Sequence, residues 1–127
     1  PIRYICRTVP RDTLAGVYRH ADVAMVTPLA DGMNLVAKEY VAAQDPDDPG
    51  VLILSHFAGA AEQLTEALMV NPYDPQQVGE ALEQALSMPL AERKARHAQL
   101  LDNVMSKDIS WWTQSYLEAL RGPSRLP

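Results

Sequence analysis

Two short apolar runs, Val23-Ala-Met-Val26 and Val51-Leu-Ile-Leu54, constrain this chain more than any other feature. Each is four residues of unbroken hydrophobicity bounded by polar or turn residues, the pattern of a strand buried on both faces of a parallel sheet. Between them Asn34 to Ala43 reads as a helix, entered through the turn Pro28-Leu-Ala-Asp-Gly32. Strand, helix and strand in that order build a βαβ unit, so the fold class expected is α/β.

The remaining segments extend the pattern. Ile2 to Cys6 is short, β-branched and aromatic, and reads as a strand. Pro10-Arg11-Asp12 opens a helix with Leu14, Val17 and Tyr18 on one face. Gln44-Asp-Pro-Asp-Asp-Pro-Gly50 is a loop by composition. Ala60 to Leu68 reads as a helix or helical turn, and Met69 to Asn71 as a brief strand. Pro75 to Leu86 is a helix capped by Asp74, with Val78, Ala81, Leu82 and Leu86 on one face. A second runs from Pro89-Leu90 to about Met105, with Glu92-Arg-Lys-Ala-Arg-His97 as its charged solvent face. A last helix, capped by Asp108 and ended by Gly122-Pro123, carries a stripe of Ile109, Trp112, Tyr116, Leu117 and Leu120, while Trp111 covers a neighbouring surface.

That gives about four strands, where a doubly wound sheet of two halves has about six. The expected architecture is therefore the second half of a Rossmann-like parallel sheet, with helices on both faces and a helical C-terminal tail. Residues 1–87 form the partial sheet domain, and residues 88–127 are helices packing back on it. Pro1 in place of Met, directly before a strand, reads as a cut in a longer chain.

Composition excludes several functions. A net charge of -5 over 127 residues opposes binding to nucleic-acid phosphates. Cys6 is the single cysteine, so the chain holds no internal disulfide and no cysteine-rich zinc set, which fits a reducing cytoplasm; in its strand it reads as a small buried hydrophobe. No apolar run approaches the roughly 20 residues of a membrane span. His20, His56 and His97 are too dispersed to suggest a nucleophilic triad, although His56 ends a strand on the same sheet edge as Asp31 and lines either a pocket or an ordinary loop. Asp45, Asp47 and Asp48 lack the register of a calcium loop and read as solvated.

The stretch Thr27 to Gln44 carries the candidate chemistry. Ligands of open α/β sheets sit beyond the carboxyl ends of the strands. There Gly32 lets the backbone approach a ligand, and the first free amides of the Asn34 helix suit a phosphate or diphosphate. Asp31, at the helix mouth, can accept from a sugar hydroxyl or merely cap the helix. Glu39, one turn beyond Leu35 on the same face, can bind vicinal ribose hydroxyls or be a solvated charge beside Lys38. Spacing alone leaves both alternatives open.

The run VTPLADGMNLVAKEYVAAQ, followed by PGVLILSHFAGAAEQL and ALMVNPYD, resembles the trehalose-6-phosphate synthase family of retaining GT-B glycosyltransferases. The resemblance is collinear over nearly the whole chain and departs at Ala30, where the family often carries a polar or basic residue. It implies that Asp31 is catalytic and meets the donor glucose hydroxyls. It also implies that Gly32, Met33 and Asn34 approach glucose and diphosphate, and that Leu35, Val36 and Glu39 hold the nucleotide, Glu39 at the ribose. The implied reaction takes glucose from UDP-glucose to glucose 6-phosphate with retention, with no cofactor and no metal. The implied partners are these two small molecules and a missing N-terminal domain, whose Arg, Lys and acceptor-binding residues lie upstream of Pro1. The 127 residues alone are then expected to be inactive, and any apolar area left uncovered could drive homo-oligomer formation. Two other readings stay open: a stand-alone non-catalytic nucleotide-binding or interaction module, and a related transferase with another acceptor such as a glycerol phosphate.

Overall fold

The computed structural model describes residues 2–122. It contains a parallel sheet of three strands in the order β1 (Val23–Val26), β2 (Val51–Ser55) and β3 (Leu68–Val70). It also has five helices: α1 (Arg11–Arg19), α2 (Leu35–Ala43), α3 (Pro75–Ser87), α4 (Leu90–Ser106) and α5 (Ile109–Arg121). Val23 aligns with Val51 and Val26 with Leu54 in the first pair, and Ile53 aligns with Leu68 in the second.

β2 lies in the middle and all five of its residues are buried. Its side chains alternate between two cores, as strand geometry requires. Leu52 and Leu54 face Ala37, Tyr40 and Val41 of α2, with Leu64 and Leu100 completing that layer. Val51 and Ile53 face the other way, against Ala81 and Ala85 of α3 and Met88. Each large aliphatic side chain sequestered this way contributes about 1.5–3 kcal/mol. Helices thus cover both faces, as the apolar runs require.

The helix signals hold where a cap fixes them. The Asp74 carboxylate accepts from the amides of Gln76 and Gln77 at 3.1 Å, with Pro75 opening α3. Asp108 accepts from the Trp111 amide at 2.9 Å and starts α5. Gly122 closes α5 with φ of 68°; Pro123 lies outside the described residues.

Several expectations are corrected. Residues 2–6 form no strand, and Ile2 and Tyr4 are solvent-exposed. A strand gains its hydrogen bonds from a neighbour, and none among the described residues pairs with this segment. Cys6 is consequently exposed, not buried, and the sheet has three strands instead of four. Of the two alternatives for Ala60–Leu68 the helical turn is the one found, a 3₁₀ turn at Gly59–Glu62, and the strand beyond it begins at Leu68 and ends at Val70, one residue earlier than expected.

The charged face of α4 is not wholly solvated. His97 is only 4% exposed, and its Nε2 lies 3.0 Å from the Val41 carbonyl. A carbonyl can only accept, so that nitrogen carries the hydrogen. Arg93 reaches the carboxylate of Asp48 at 2.7 Å and the Pro49 carbonyl at 2.5 Å. The aspartate loop is likewise engaged: Asp45 pairs with Arg19 at 2.8 Å and Asp47 with Lys94 at 3.3 Å. These exposed pairs are each worth at most about 1 kcal/mol, yet together they tie α1 and α4 to one loop.

The apolar stripe of α5 buries nothing completely. Trp111 and Trp112 are 41% and 42% exposed, and Trp112 stacks on Tyr116 with ring centroids 5.2 Å apart. Among the described residues no helix is long and apolar enough to cross a membrane.

Candidate functional site

Because β1 and β2 are parallel, the loops that follow Val26 and Ser55 emerge at the same edge of the sheet. They continue to pair there. Asp31 forms an isolated parallel bridge with Ala58. Its amide donates to the Phe57 carbonyl at 3.1 Å, the Gly59 amide donates to the Asp31 carbonyl at 2.9 Å, and the Ala60 amide donates to the Met33 carbonyl at 2.6 Å. The backbone of the candidate loop is therefore fixed by main-chain bonds to residues 57–60.

The Asp31 carboxylate accepts from the Met33 amide at 3.1 Å and from Asn34 Nδ2 at 3.0 Å. These two donors, the Met33 amide foremost, hold its carboxyl below the usual carboxylate range. It is exposed. An ionised carboxylate has roughly four acceptor positions, so acceptor capacity remains for a hydroxyl donor from solution. The Met33 amide is thus already engaged by Asp31 in this structure.

Asn34 joins the loop to α2. It adopts φ of 73°, a left-handed value that Asn tolerates better than most residues, and its Oδ1 accepts from the Ala37 amide at 3.0 Å. The helix therefore begins at Leu35, one residue later than its sequence suggests, with Asn34 as its cap.

Along α2 the buried face is Ala37, Tyr40 and Val41. Leu35 and Val36 are instead 58% and 44% exposed, with Glu39 exposed one turn further on. Lys38 is directed away, its Nζ donating to Gln63 Oε1 at 2.6 Å. Glu39 makes no ion pair among the described residues. Its charge reaches α1, because burial first and Glu39 second push the Tyr18 hydroxyl up. The result is one exposed strip: a carboxylate, a glycine turn, a helix N-terminus, two uncovered aliphatic side chains and a second carboxylate.

His56 is exposed at the end of β2, one residue before Phe57, whose carbonyl receives the Asp31 amide. The backbone partner, residues 57–60, is not among the residues that the sequence singles out. Its signal was the small-residue run Ala58-Gly-Ala-Ala61, which permits close approach of two backbones. Gly32, Met33, Lys38, Gly59, Gln63 and Trp112 border a cleft of about 240 Å³ between the loop and α5.

Residues 1–122 match the family described as glycosyltransferase family 20. The chain is 59% identical over 121 residues to a trehalose-6-phosphate synthase of Klebsiella pneumoniae, covering 95% of this chain and 26% of that protein. It is similar to the E. coli structure bound with UDP-2-fluoro glucose, with a TM-score of 0.87, 54% identity, and coverage of 94% and 27% of the two chains. It is also similar to an alpha,alpha-trehalose-phosphate synthase (UDP-forming) from Burkholderia xenovorans in complex with glucose-6-phosphate. There the TM-score is 0.89 and the identity 53%, over 96% of this chain and 27% of that one.

Proposed function

Because the chain belongs to glycosyltransferase family 20, we propose that it is the donor-binding part of a retaining glucosyltransferase. The reaction moves glucose from UDP-glucose to glucose 6-phosphate and gives trehalose 6-phosphate and UDP. The chain spans about a quarter of its curated relatives, 26% of the Klebsiella protein. In this reading the acceptor pocket and the side chains that clamp the diphosphate belong to residues outside it.

The observation that carries the reading is the exposed strip from Asp31 to Glu39. Asp31 accepts from hydroxyls of the transferred glucose with the oxygen positions left free by Met33 and Asn34. The N-terminus of α2 faces the diphosphate, where the unpaired amides and helix dipole favour negative charge. Leu35 and Val36 cover the base and ribose, and Glu39 accepts from the ribose hydroxyls. During transfer the bond from the anomeric carbon to the diphosphate oxygen breaks and its electron pair leaves with UDP. A bond from that carbon to the acceptor hydroxyl oxygen forms, and the hydroxyl proton passes to the departing diphosphate oxygen. Placement of the donor and stabilisation of charge on the diphosphate are what this chain supplies. Residues 1–87 carry the donor site, and the C-terminal helices support it.

The test uses the protein expressed over its whole reading frame. UDP-glucose and glucose 6-phosphate should yield trehalose 6-phosphate and UDP in equal amounts, read by mass spectrometry. Glu39→Ala should weaken UDP binding in calorimetry by about tenfold or more, the equivalent of one lost charge-assisted hydrogen bond. Absence of the disaccharide phosphate with either UDP-glucose or another nucleotide donor, or UDP binding indifferent to Glu39→Ala, would falsify it.

A further inference from the structure

The backbone of residues 57–60 lies directly behind the candidate loop and is bonded to it. The geometry points to Gly59 as a positioning residue that sets where the Asp31–Met33 loop stands against the donor sugar; this rests on the reading of the site proposed above.

The two glycines of this region differ physically. A Cβ built on Gly32 would meet nothing within 4 Å. A Cβ on Gly59 would lie 2.3 Å from the Gly32 carbonyl oxygen, 2.8 Å from its carbon and 3.2 Å from Met33 Cα. Gly59 is not in the left-handed region, where a φ would call for glycine. Close approach is what demands it. All three atoms it would strike are main chain, so no side chain can swing away.

The approach has a consequence because the same two segments are laced together. Gly59 donates to the Asp31 carbonyl and Ala60 to the Met33 carbonyl, one bond on each side of the Gly32 peptide that Gly59 underlies. A methyl group at Gly59 must force the Gly32 peptide and the Gly59 backbone apart, and on the donor-site reading that shifts the sugar end of the loop. Leu35, Val36 and Glu39 lie on α2, whose buried face is held in the core by Ala37, Tyr40 and Val41. The displacement is therefore confined to the sugar end of the strip, and the nucleotide end stays put.

The experiment compares Gly59→Ala with the unaltered protein, both expressed over the whole reading frame, using UDP and UDP-2-fluoroglucose as calorimetric probes and glucose transfer as the rate. Displacing a reacting group by about 1 Å costs about 100-fold in rate, so kcat/KM should fall by about that factor. UDP-2-fluoroglucose affinity should fall by about tenfold while UDP affinity changes by less than about twofold, since only the sugar end moves. Equal loss of both affinities, or loss of neither, overturns the assignment and leaves the donor-site reading standing. Failure of the unaltered protein to bind either probe overturns both.

If Gly59→Ala does not fold, hydrogen exchange on the unaltered protein decides. Protection of the Gly59 and Ala60 amides should rise by about tenfold or more with UDP-2-fluoroglucose and by less than about twofold with UDP. Equal protection by the two probes overturns the assignment.

Discussion

Asn34 holds two partners with one side chain: its Nδ2 donates to Asp31 at 3.0 Å while its Oδ1 accepts from the Ala37 amide at 3.0 Å. The same amide group therefore orients the candidate sugar-facing carboxylate and caps the helix behind it. Its φ of 73° is the only left-handed value outside glycine among the described residues. Replacing Asn34 by Ala should cost about 1 kcal/mol for the cap and about 1 kcal/mol or more for the strained backbone. Asn34→Gly should cost only a few tenths for the cap and nothing for φ. Urea denaturation of both variants checks the order; equal stability of the two would refute the backbone part.

The Asp31 carboxyl should titrate below the ordinary carboxylate range, because the Met33 amide and the Asn34 side chain favour its ionised form. Its folded-state pKa is depressed, so the hydrogen bonds it contributes are fully present above the unfolded value near 3.9 and are lost as pH falls through the lower, folded one. Carboxyl-carbon NMR resonances should show Asp31 titrating upward, toward the ordinary value, in Asn34→Ala. An unchanged midpoint would exclude the Asn34 contribution.

Gly32→Ala separates folding from binding. Neither φ nor packing demands glycine at Gly32, so stability should change by less than about 0.5 kcal/mol. UDP-glucose affinity should nonetheless fall, since the methyl group fills the space left for the donor. A variant that melts early, or one that binds UDP-glucose as before, would contradict this.

His97→Leu should destabilise the fold by about 1–3 kcal/mol, because it removes a donor to the buried Val41 carbonyl. UDP affinity should be unaltered, since His97 contacts the buried side of α2. Chemical denaturation paired with calorimetry makes the comparison.

The sheet was legible in the apolar runs because their burial is set by local sequence. Val23–Val26 and Val51–Leu54 were found with little error, and α3 and α5 start where Asp74 and Asp108 cap them. Residues 2–6 were misjudged because β-branched and aromatic residues describe a strand's preference, whereas pairing depends on a neighbour far along or outside the chain. His97 was misjudged because its neighbours are charged, and only the distant Val41 carbonyl reveals why it turns inward. Within the candidate site, the identities of Asp31, Gly32 and Glu39 were visible. The pairing with residues 57–60 was not, since no local pattern encodes a backbone meeting 26 or more residues away, and the bond from Asn34 to Asp31 depends on the left-handed backbone at Asn34.

The aspartate loop precedes β2 and the Asp31 loop follows β1, so in a parallel sheet they occupy opposite ends. At the first end, exposed ion pairs to Arg19, Arg93 and Lys94, which dissolved salt screens, add to the bonds that Gln44 makes to the Tyr18 carbonyl and the Gly50 amide. At the other, cohesion comes from main-chain bonds that salt barely touches. Raised ionic strength would accordingly weaken the ion pairs at the first end, where α4 stays held by Leu100 and His97, while leaving the candidate loop in register.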